Sequence, residues 1–497
     1  MKCRISRLMP LIPAFFIGAL QAAPQQALAL VRTTDFDTTI APGSAHRHTI
    51  RLDAGEWGNA RETTAMLAAR AQARDSASAW LRRRTAAMAP ARSASEALDA
   101  KFDSVARGAR VLGLGEGTHG SREFGDIRLR LTQRAIERAG YRLVALEGSA
   151  VRLARLNEYV AGRAPLPSPE IVEGGLAWIG RRTKGELIPW LRAWNSRHPN
   201  DPVSLVGVDP QDFLLAIPEL RDFLRRGYGD RIAAVWAGIE RELAAADSQT
   251  YVFGDSGVDS VVGRQIFELV TAVELDGPVL RRLYGDSAYD RAAFALGMLA
   301  EFADFNDNRS AIVGRGRDWY MAAHLLRAMS QRRDVKAVYW AHNAHVAHPA
   351  GRTAVNGPSG SVLRATLGCD YQAVAMTFGE GGFLAQRPND PEDRLAVDSL
   401  PPNVDESVER AMSGVAKTTA LAMWGCIDDA TPVPSWLRRP QQMRWVGGLW
   451  LPGSNPAEAN RPTQLVRDYD GLVYIPRVTA DEGPANRPVI PPRKRQQ

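Results

Sequence analysis

The sequence predicts an α/β protein with a central, mostly parallel sheet and helices on both faces. Three observations carry this. Four short apolar runs, Ala109–Leu114, Arg142–Leu146, Val203–Val208 and Val335–Trp340, read as buried strands. Helical patterns, not tight hairpins, separate them, and that alternation produces parallel strands. Each run also ends in titratable residues: Glu116 and His119, Glu147, Asp209, then His342 and His345. In a parallel sheet those ends share one edge, where ligands of open α/β folds bind.

The chain opens with Lys2, Arg4 and Arg7, an apolar stretch Leu8–Leu20, and small residues up to Ala27-Leu28-Ala29. A basic start, a short apolar run and an A-x-A site predict a secretory signal peptide over residues 1–29. The run is too short to span a bilayer, and no later stretch reaches about 18 uninterrupted apolar residues, so no stable membrane span is expected after cleavage. A periplasmic or secreted location follows. Residues 30–94 read as an N-terminal extension, with a possible strand at Thr49–Leu52 and an Ala/Arg-rich helical stretch Arg61–Met88 closed by Pro90. Residues 95–480 form the main domain. The proline-rich, charged tail 481–497 reads as disordered.

Within the main domain a helical pattern follows the first strand from Glu123 to Ala139, and Gly140 stops it. Helix follows the second strand through Tyr159, and Glu170–Asn195 is mostly helical. Helical patterns then fill Phe213–Arg226, Arg231–Ala245, Ser260–Leu275, Tyr289–Phe305 and Gly316–Met329. Tyr371–Thr377 and Leu472–Ile475 read as further strands, with another possible at Leu421–Trp424.

Composition narrows the function classes. The net charge is +7, and it falls to +4 once Lys2, Arg4 and Arg7 leave with the signal peptide. No basic stripe interleaves with aromatics, so nucleic acid is not an expected partner. Export leaves Cys369 and Cys426, which form either a bridge or two buried thiols. Neither belongs to a C-x-x-C pair, so a zinc–thiolate site is not supported.

The most informative stretch is Val111–Gly120, V-L-G-L-G-E-G-T-H-G. A strand breaks into a glycine-rich loop that presents Glu116 and His119. No Gly-Lys-Ser/Thr follows, so it is not a nucleotide-phosphate loop, and no Ser sits at an elbow. Three of the eight histidines, His119, His342 and His345, fall in two strand-end loops. A His works as a general base near neutral pH, and a carboxylate can hold its tautomer. Each residue alone has an ordinary reading: Glu after a strand is often a cap, and Asp before Pro210 is a normal turn residue. Repetition at four strand ends favours chemistry.

On these residues the chain resembles the erythromycin esterase family. The carriers are G-E-x-T-H-G at Gly115–Gly120, Arg128, Glu147, and W-A-H-N-A-H at Trp340–His345. Secondary matches are Trp178 with Glu186, Trp190–Asn195, Gly207-Val208-Asp209, Arg317-Asp318 with Met321, and Asp468-Tyr469-Asp470. The resemblance implies a three-layer α/β fold with a helical part covering the cleft. It implies a metal-independent hydrolase that needs no cofactor and opens an ester or lactone. His119 would be the base, Glu147 would orient water, and Arg128 or His342 would face the oxyanion. Glu116 and His345 complete the catalytic set; Asp209, Trp178 and Arg317 are expected at the substrate. Two alternatives stay open: a metal-dependent hydrolase using the same Glu/His cluster, and a non-catalytic exported binding or polysaccharide-assembly protein.

Overall fold

A computed structural model describes residues 64–88, 96–175, 181–210, 217–245, 260–306, 316–349, 357–387, 395–403, 406–451 and 453–481. The expected signal peptide, the possible strand at Thr49–Leu52, Trp178 and the tail beyond Asp481 lie outside these residues. The described strands are β1 (Thr85–Ala87), β2 (Val111–Leu114), β3 (Tyr141–Ser149), β4 (Ser204–Asp209), β5 (Lys336–Trp340), β6 (Tyr371–Gln386), β7 (Leu395–Leu400), β8 (Ala420–Met423), β9 (Gln441–Arg444), β10 (Asn460–Thr463) and β11 (Gly471–Val478). Nine form one sheet in the order β1-β8-β11-β6-β2-β5-β3-β4, with β7 paired to the far end of β6. The six strands from β11 to β4 in that order run parallel. β1, β7 and β8 are antiparallel additions, and β9 and β10 make a separate ribbon. The expected sheet is therefore present, mostly parallel and flanked by helices.

Alternation along the strands fills two layers. Leu112, Leu114, Val144, Leu146, Val338 and Trp340 face one side, with Phe124 and Leu131 of helix Arg122–Ala139 and Leu187 and Leu191 of helix Arg181–Arg197. Val111, Leu143, Ala145, Ala337 and Tyr339 face the other, with Met321 and Leu325 of helix Arg317–Ser330. Trp80 and Leu81 of helix Thr64–Arg82 join that second layer. Burying each large apolar side chain contributes about 1.5–3 kcal/mol, so pairing of opposite faces fixes the register. A third cluster is wholly helical: Leu220, Phe223, Trp236, Ile239, Leu269, Leu299 and Phe302, from helices between Ile217 and Asn306. It also takes in Ala150 and Val151, directly after β3, so this insertion stands at the carboxyl edge of the sheet.

Several elements differ from the sequence reading. Helix Thr64–Arg82 stops short of the expected Met88, and Thr85–Ala87 pair with Ala420–Ala422 instead. An open sheet edge outcompetes the helical preference of alanine. Strands β7, β9 and β10 were not expected, and β6 runs on from Thr377 to Gln386. Gln441–Arg444 and Asn460–Thr463 are polar, and Pro462 breaks the strand pattern. Such a proline is tolerated in a two-strand ribbon, which has only edges. Asp481 is buried and its N–H donates to the Gly120 carbonyl at 3.0 Å.

Cys369 and Cys426 are bridged, with Cα atoms 5.5 Å apart. The bridge ties the segment entering β6 to the one leaving β8. No helix among the described residues is long and apolar enough to cross a membrane. The bridge closes a loop with a sequence separation of 57 residues. Replacing both cysteines by serine is expected to lower stability by about 2–4 kcal/mol in urea unfolding. A loss below about 0.5 kcal/mol would show that the bridge does not constrain the unfolded chain.

Candidate active site

The four titratable strand ends belong to four adjacent strands, β2, β5, β3 and β4. The loop after β2 is pressed between neighbours, and its glycines permit that. A Cβ on Gly115 would lie 2.2 Å from Asn343 Oδ1, and one on Gly120 would lie 2.5 Å from the Leu384 backbone nitrogen. Asn343 laces the strands together. Its N–H donates to the Glu116 carbonyl at 2.9 Å. Its amide mimics a strand, donating to Met376 O at 2.8 Å and accepting from Met376 N at 3.1 Å.

Glu116 is buried and both its oxygens are engaged. Oε1 accepts from His119 Nδ1 at 2.9 Å, and Oε2 accepts from Arg128 Nη2 at 2.5 Å. Arg128 reaches up from helix Arg122–Ala139 and lies 4.8 Å over the Trp340 ring. Trp340 is anchored in turn by Nε1–H donating to Thr132 Oγ1 at 2.8 Å. Arg128 thus acts through Glu116 and not directly at the open cleft. A carboxylate only accepts, so the contact holds the His119 ring with its proton on Nδ1. Its ring lies 5.1 Å from that of His342.

Glu147 occupies an irregularity in β3. Leu146 pairs with Gly207 and Ser149 with Asp209, so one extra residue is accommodated between them. Such a bulge re-aims a side chain. Gly207 is required opposite: a Cβ there would lie 2.5 Å from Ser149 O. Glu147 Oε1 accepts from Arg317 Nη2 at 3.0 Å and from His345 Nε2 at 3.2 Å, and Oε2 accepts from the His342 N–H at 2.8 Å. Burial pushes the Glu147 carboxyl up, but the charge and hydrogen bond of His345, with His119 and Arg317, more than offset this and hold it well below the usual range.

Arg317 opens helix Arg317–Ser330 and bridges two strand ends. Nε and Nη2 clamp Asp209 at 3.1 and 2.6 Å, while Nη2 also reaches Glu147. The next residue, Asp318, accepts from His345 Nδ1 at 2.7 Å and from the Ser359 N–H at 2.8 Å. His345 Nδ1 thus donates to Asp318, while Nε2 lies 3.2 Å from both Glu147 Oε1 and Arg317 Nη1. Burial alone would lower the His345 value; Asp318 and Glu147 raise it to about 10. His342 is the opposite case. Burial, with the neighbouring His119, holds it well below 6.5 despite Glu147. Its Nδ1 accepts from the Ala344 N–H at 3.2 Å, so the proton is on Nε2, which faces Val446 O at 3.2 Å. Three histidines thus share one edge in distinct surroundings.

The far wall comes from the segment after β9. The Val446 N–H donates to Gly117 O at 2.7 Å, and the half-buried Trp445 ring sits edge-on to His342 at 5.6 Å. The donor set does not fit a cation: Arg128 engages Glu116, and Arg317 engages both Glu147 and Asp209. Among the described residues no three His, Cys, Asp or Glu converge to hold a metal ion.

A family model for erythromycin esterase matches residues 136–478. The chain belongs to the erythromycin esterase family. It is similar to erythromycin esterase type I of Escherichia coli, 26% identical over 296 residues, covering 55% of this chain and 71% of that protein. Type II of the same organism is 25% identical over 370 residues, covering 66% and 84%. Among solved structures, a Bacillus cereus protein matches with a TM-score of 0.65 at 16% identity, covering 82% of this chain and 98% of that one. A histidine-to-asparagine mutant of an erythromycin esterase, in its open conformation, matches with a TM-score of 0.56 at 20% identity, covering 78% and 96%. A succinoglycan biosynthesis protein shares the fold as well, with a TM-score of 0.58 at 18% identity and coverage of 83% and 98%. The erythromycin esterase match begins downstream of Glu116, His119 and Arg128, and contains the other site residues.

The structure brings Glu116, His119, Arg128, Glu147, Asp209, Arg317, His342 and His345 to one edge; Trp178 lies outside the described residues. Arg317 was expected to hold substrate, yet its guanidinium is taken up by two carboxylates. Sequence reasoning missed Asp318 as a site residue, and also Ser359 and Trp445. Asp318 was named beside Arg317 among the family matches, but with no role. The other two adjoin no titratable strand end.

The His345 ring sets a pH dependence of stability. Its folded value lies above the unfolded one, so its contribution is complete below about pH 6.5 and drains as pH rises through about 10. The melting-temperature gap between wild type and His345→Gln should therefore be widest near pH 6 and shrink steadily to pH 10. A gap that stays constant would mean that the ring is not cationic in the fold.

Proposed function

We propose that this edge hydrolyses a carboxylic ester or lactone by general-base activation of water. The carrying observation is the His119–Glu116 pair beside the His342 ring. Glu116, fixed by Arg128, holds His119 in the tautomer that leaves Nε2 basic. That nitrogen takes a proton from water, and the hydroxide attacks the carbonyl carbon. His342 is neutral and donates Nε2–H only weakly to Val446 O, so it turns that hydrogen to the developing oxyanion. One well-placed donor of this kind contributes about 3–4 kcal/mol. Glu147 has accepted three hydrogen bonds, so it orients water through its remaining lone pair while fixing His342. The tetrahedral intermediate then collapses, breaking the acyl C–O bond; the leaving alkoxide takes the proton from His119, the acid is released, and no Ser or Cys nucleophile is involved. Trp445 gives the cleft an apolar rim suited to the body of a non-polar ester.

Family membership supports a hydrolase resembling these esterases, and the names of the Escherichia coli relatives make a macrolide lactone a reasonable first substrate to try. His119→Ala should lower kcat by about 10²–10⁴-fold and leave KM within a few-fold. Retention of more than a tenth of wild-type turnover would move the base elsewhere. Dialysis against a chelator should leave activity in place; loss that zinc or manganese restores would support the metal-dependent alternative.

We also propose that the mature chain is exported, to the periplasm in a cell with two membranes. The basic start, apolar run and A-x-A pattern support this, as does the Cys369–Cys426 bridge, since disulfides persist in oxidising compartments. N-terminal sequencing of native protein should begin near Leu30. A start at Met1 would overturn the processing.

A further inference from the structure

Asp318 stands outside every role assigned above, yet it closes a box around His345. Its Oδ1 accepts from both His345 Nδ1 and the Ser359 N–H. The Ser359 hydroxyl donates back to the His345 carbonyl at 2.7 Å, and lies 2.8 Å from the Tyr339 hydroxyl. Ser359 starts helix Ser359–Leu367, so the box joins that helix, helix Arg317–Ser330 and the loop after β5. His345 is held on both sides of its ring. From there the chain of contacts runs on: His345 Nε2 to Glu147 Oε1, then Glu147 Oε2 to the His342 N–H.

We propose that Asp318 is a positioning residue for the hydrolytic site: it fixes His345 as a doubly protonated ring whose second nitrogen clamps Glu147, and the clamped Glu147 sets the His342 main chain beside His119. His345 is then a fixed cation and not a reserve base. Without Asp318 its ring would have one carboxylate to two nitrogens, and a neutral ring could offer Glu147 a lone pair in place of a donor.

The groups facing His345 agree with this. Helix Arg317–Ser330 supplies Asp318 and Arg317; β3 supplies Glu147; β4 supplies Asp209 through Arg317. The loop after β5 adds neutral His342, and the loop after β2 adds His119, 5.1 Å from His342. Tyr339 is kept protonated by burial, which pushes its hydroxyl well above the usual range. Two carboxylates thus flank the ring against one guanidinium, itself paired with Asp209, and the balance favours a cation.

The kinetic arm of the test rests on the ester-hydrolase reading; a spectroscopic arm stands without it. Long-range ¹H–¹⁵N spectra of the imidazoles should show His345 protonated on both nitrogens at pH 8. In Asp318→Asn the His345 midpoint should fall from about 10 towards the ordinary value near 6.5. On an ester substrate the same variant should lose about 10- to 100-fold in kcat with KM little changed. It should also gain an alkaline limb at the lowered midpoint. Asp318→Glu should restore the plateau. His345→Lys, which keeps a cation between the carboxylates, should retain more turnover than His345→Gln. A singly protonated wild-type ring, an unmoved midpoint in Asp318→Asn, or equal loss in the two His345 variants would overturn the proposal. If wild type turns over no ester, the hydrolase reading fails and the spectra alone decide the placement of the ring. Should Asp318→Asn not fold, the two His345 variants carry the test.

Discussion

Carboxylates crowded at one edge of a parallel sheet are the constraint on which this structure turns. Glu116, Glu147 and Asp209 leave three of four adjacent strand ends, and Asp318 comes in from the helix above. Unpaired, such buried charges would repel and cost several kcal/mol each to desolvate. The fold answers by interleaving cations. Arg128 meets Glu116, Arg317 spans Asp209 and Glu147, and His345 spans Glu147 and Asp318. Every bridging group comes from a different segment, so the pairing also welds helices to the sheet. Removing one partner would strand another charge, so the pairs depend on one another.

That arrangement puts three nearby histidines in different surroundings. His345 sits between two carboxylates, and Asp318 and Glu147 raise its value to about 10. His342 has no carboxylate on its ring: Glu147 reaches its main chain, and the ring faces a carbonyl and a neighbouring histidine. Burial therefore leaves it neutral. His119 has one carboxylate on Nδ1 and lies in a glycine loop at the rim. The three rings differ by neighbours and not by residue type, as in other sites where like residues take unlike roles.

Much of this was legible in the sequence, and the limits have physical reasons. Apolar runs ending in Glu, Asp or His revealed both the strands and the edge where their ends meet, because burial on two faces removes polar residues from a parallel strand. The strand order was not legible. β5 inserts between β2 and β3, and nothing local records that. Arg317 illustrates the same limit: its carboxylates lie 108 and 170 positions away in the chain. The β3 irregularity that aims Glu147 shows only as Glu147-Gly148, a common pair. β7 and the β9–β10 ribbon carry no apolar alternation, and Trp445 acquires its place from that ribbon. The Cys369–Cys426 bridge was one of two open readings, and only the 5.5 Å Cα separation decides it.

Among the described residues, helix Arg317–Ser330 is one element that joins the helical insertion to this system. Helix Arg317–Ser330 places Arg317 and Asp318 in the site with its first turn. Two turns further on, His324 Nδ1 meets Val208 O at 2.8 Å, next to Asp209, and Nε2 meets Glu301 at 2.7 Å. Tyr320, between them, donates to Asp304. Glu301 and Asp304 belong to helix Asp286–Asn306 of the insertion. An α-helix transmits displacement along its axis because its hydrogen bonds repeat at every residue. The packing of the insertion thus helps set where the Arg317 guanidinium and the Asp318 carboxylate lie. Sequence changes among the insertion helices can then alter the cleft without touching a strand-end residue. This suits a fold in which the sheet edge holds the charges and the helical part shapes what reaches them.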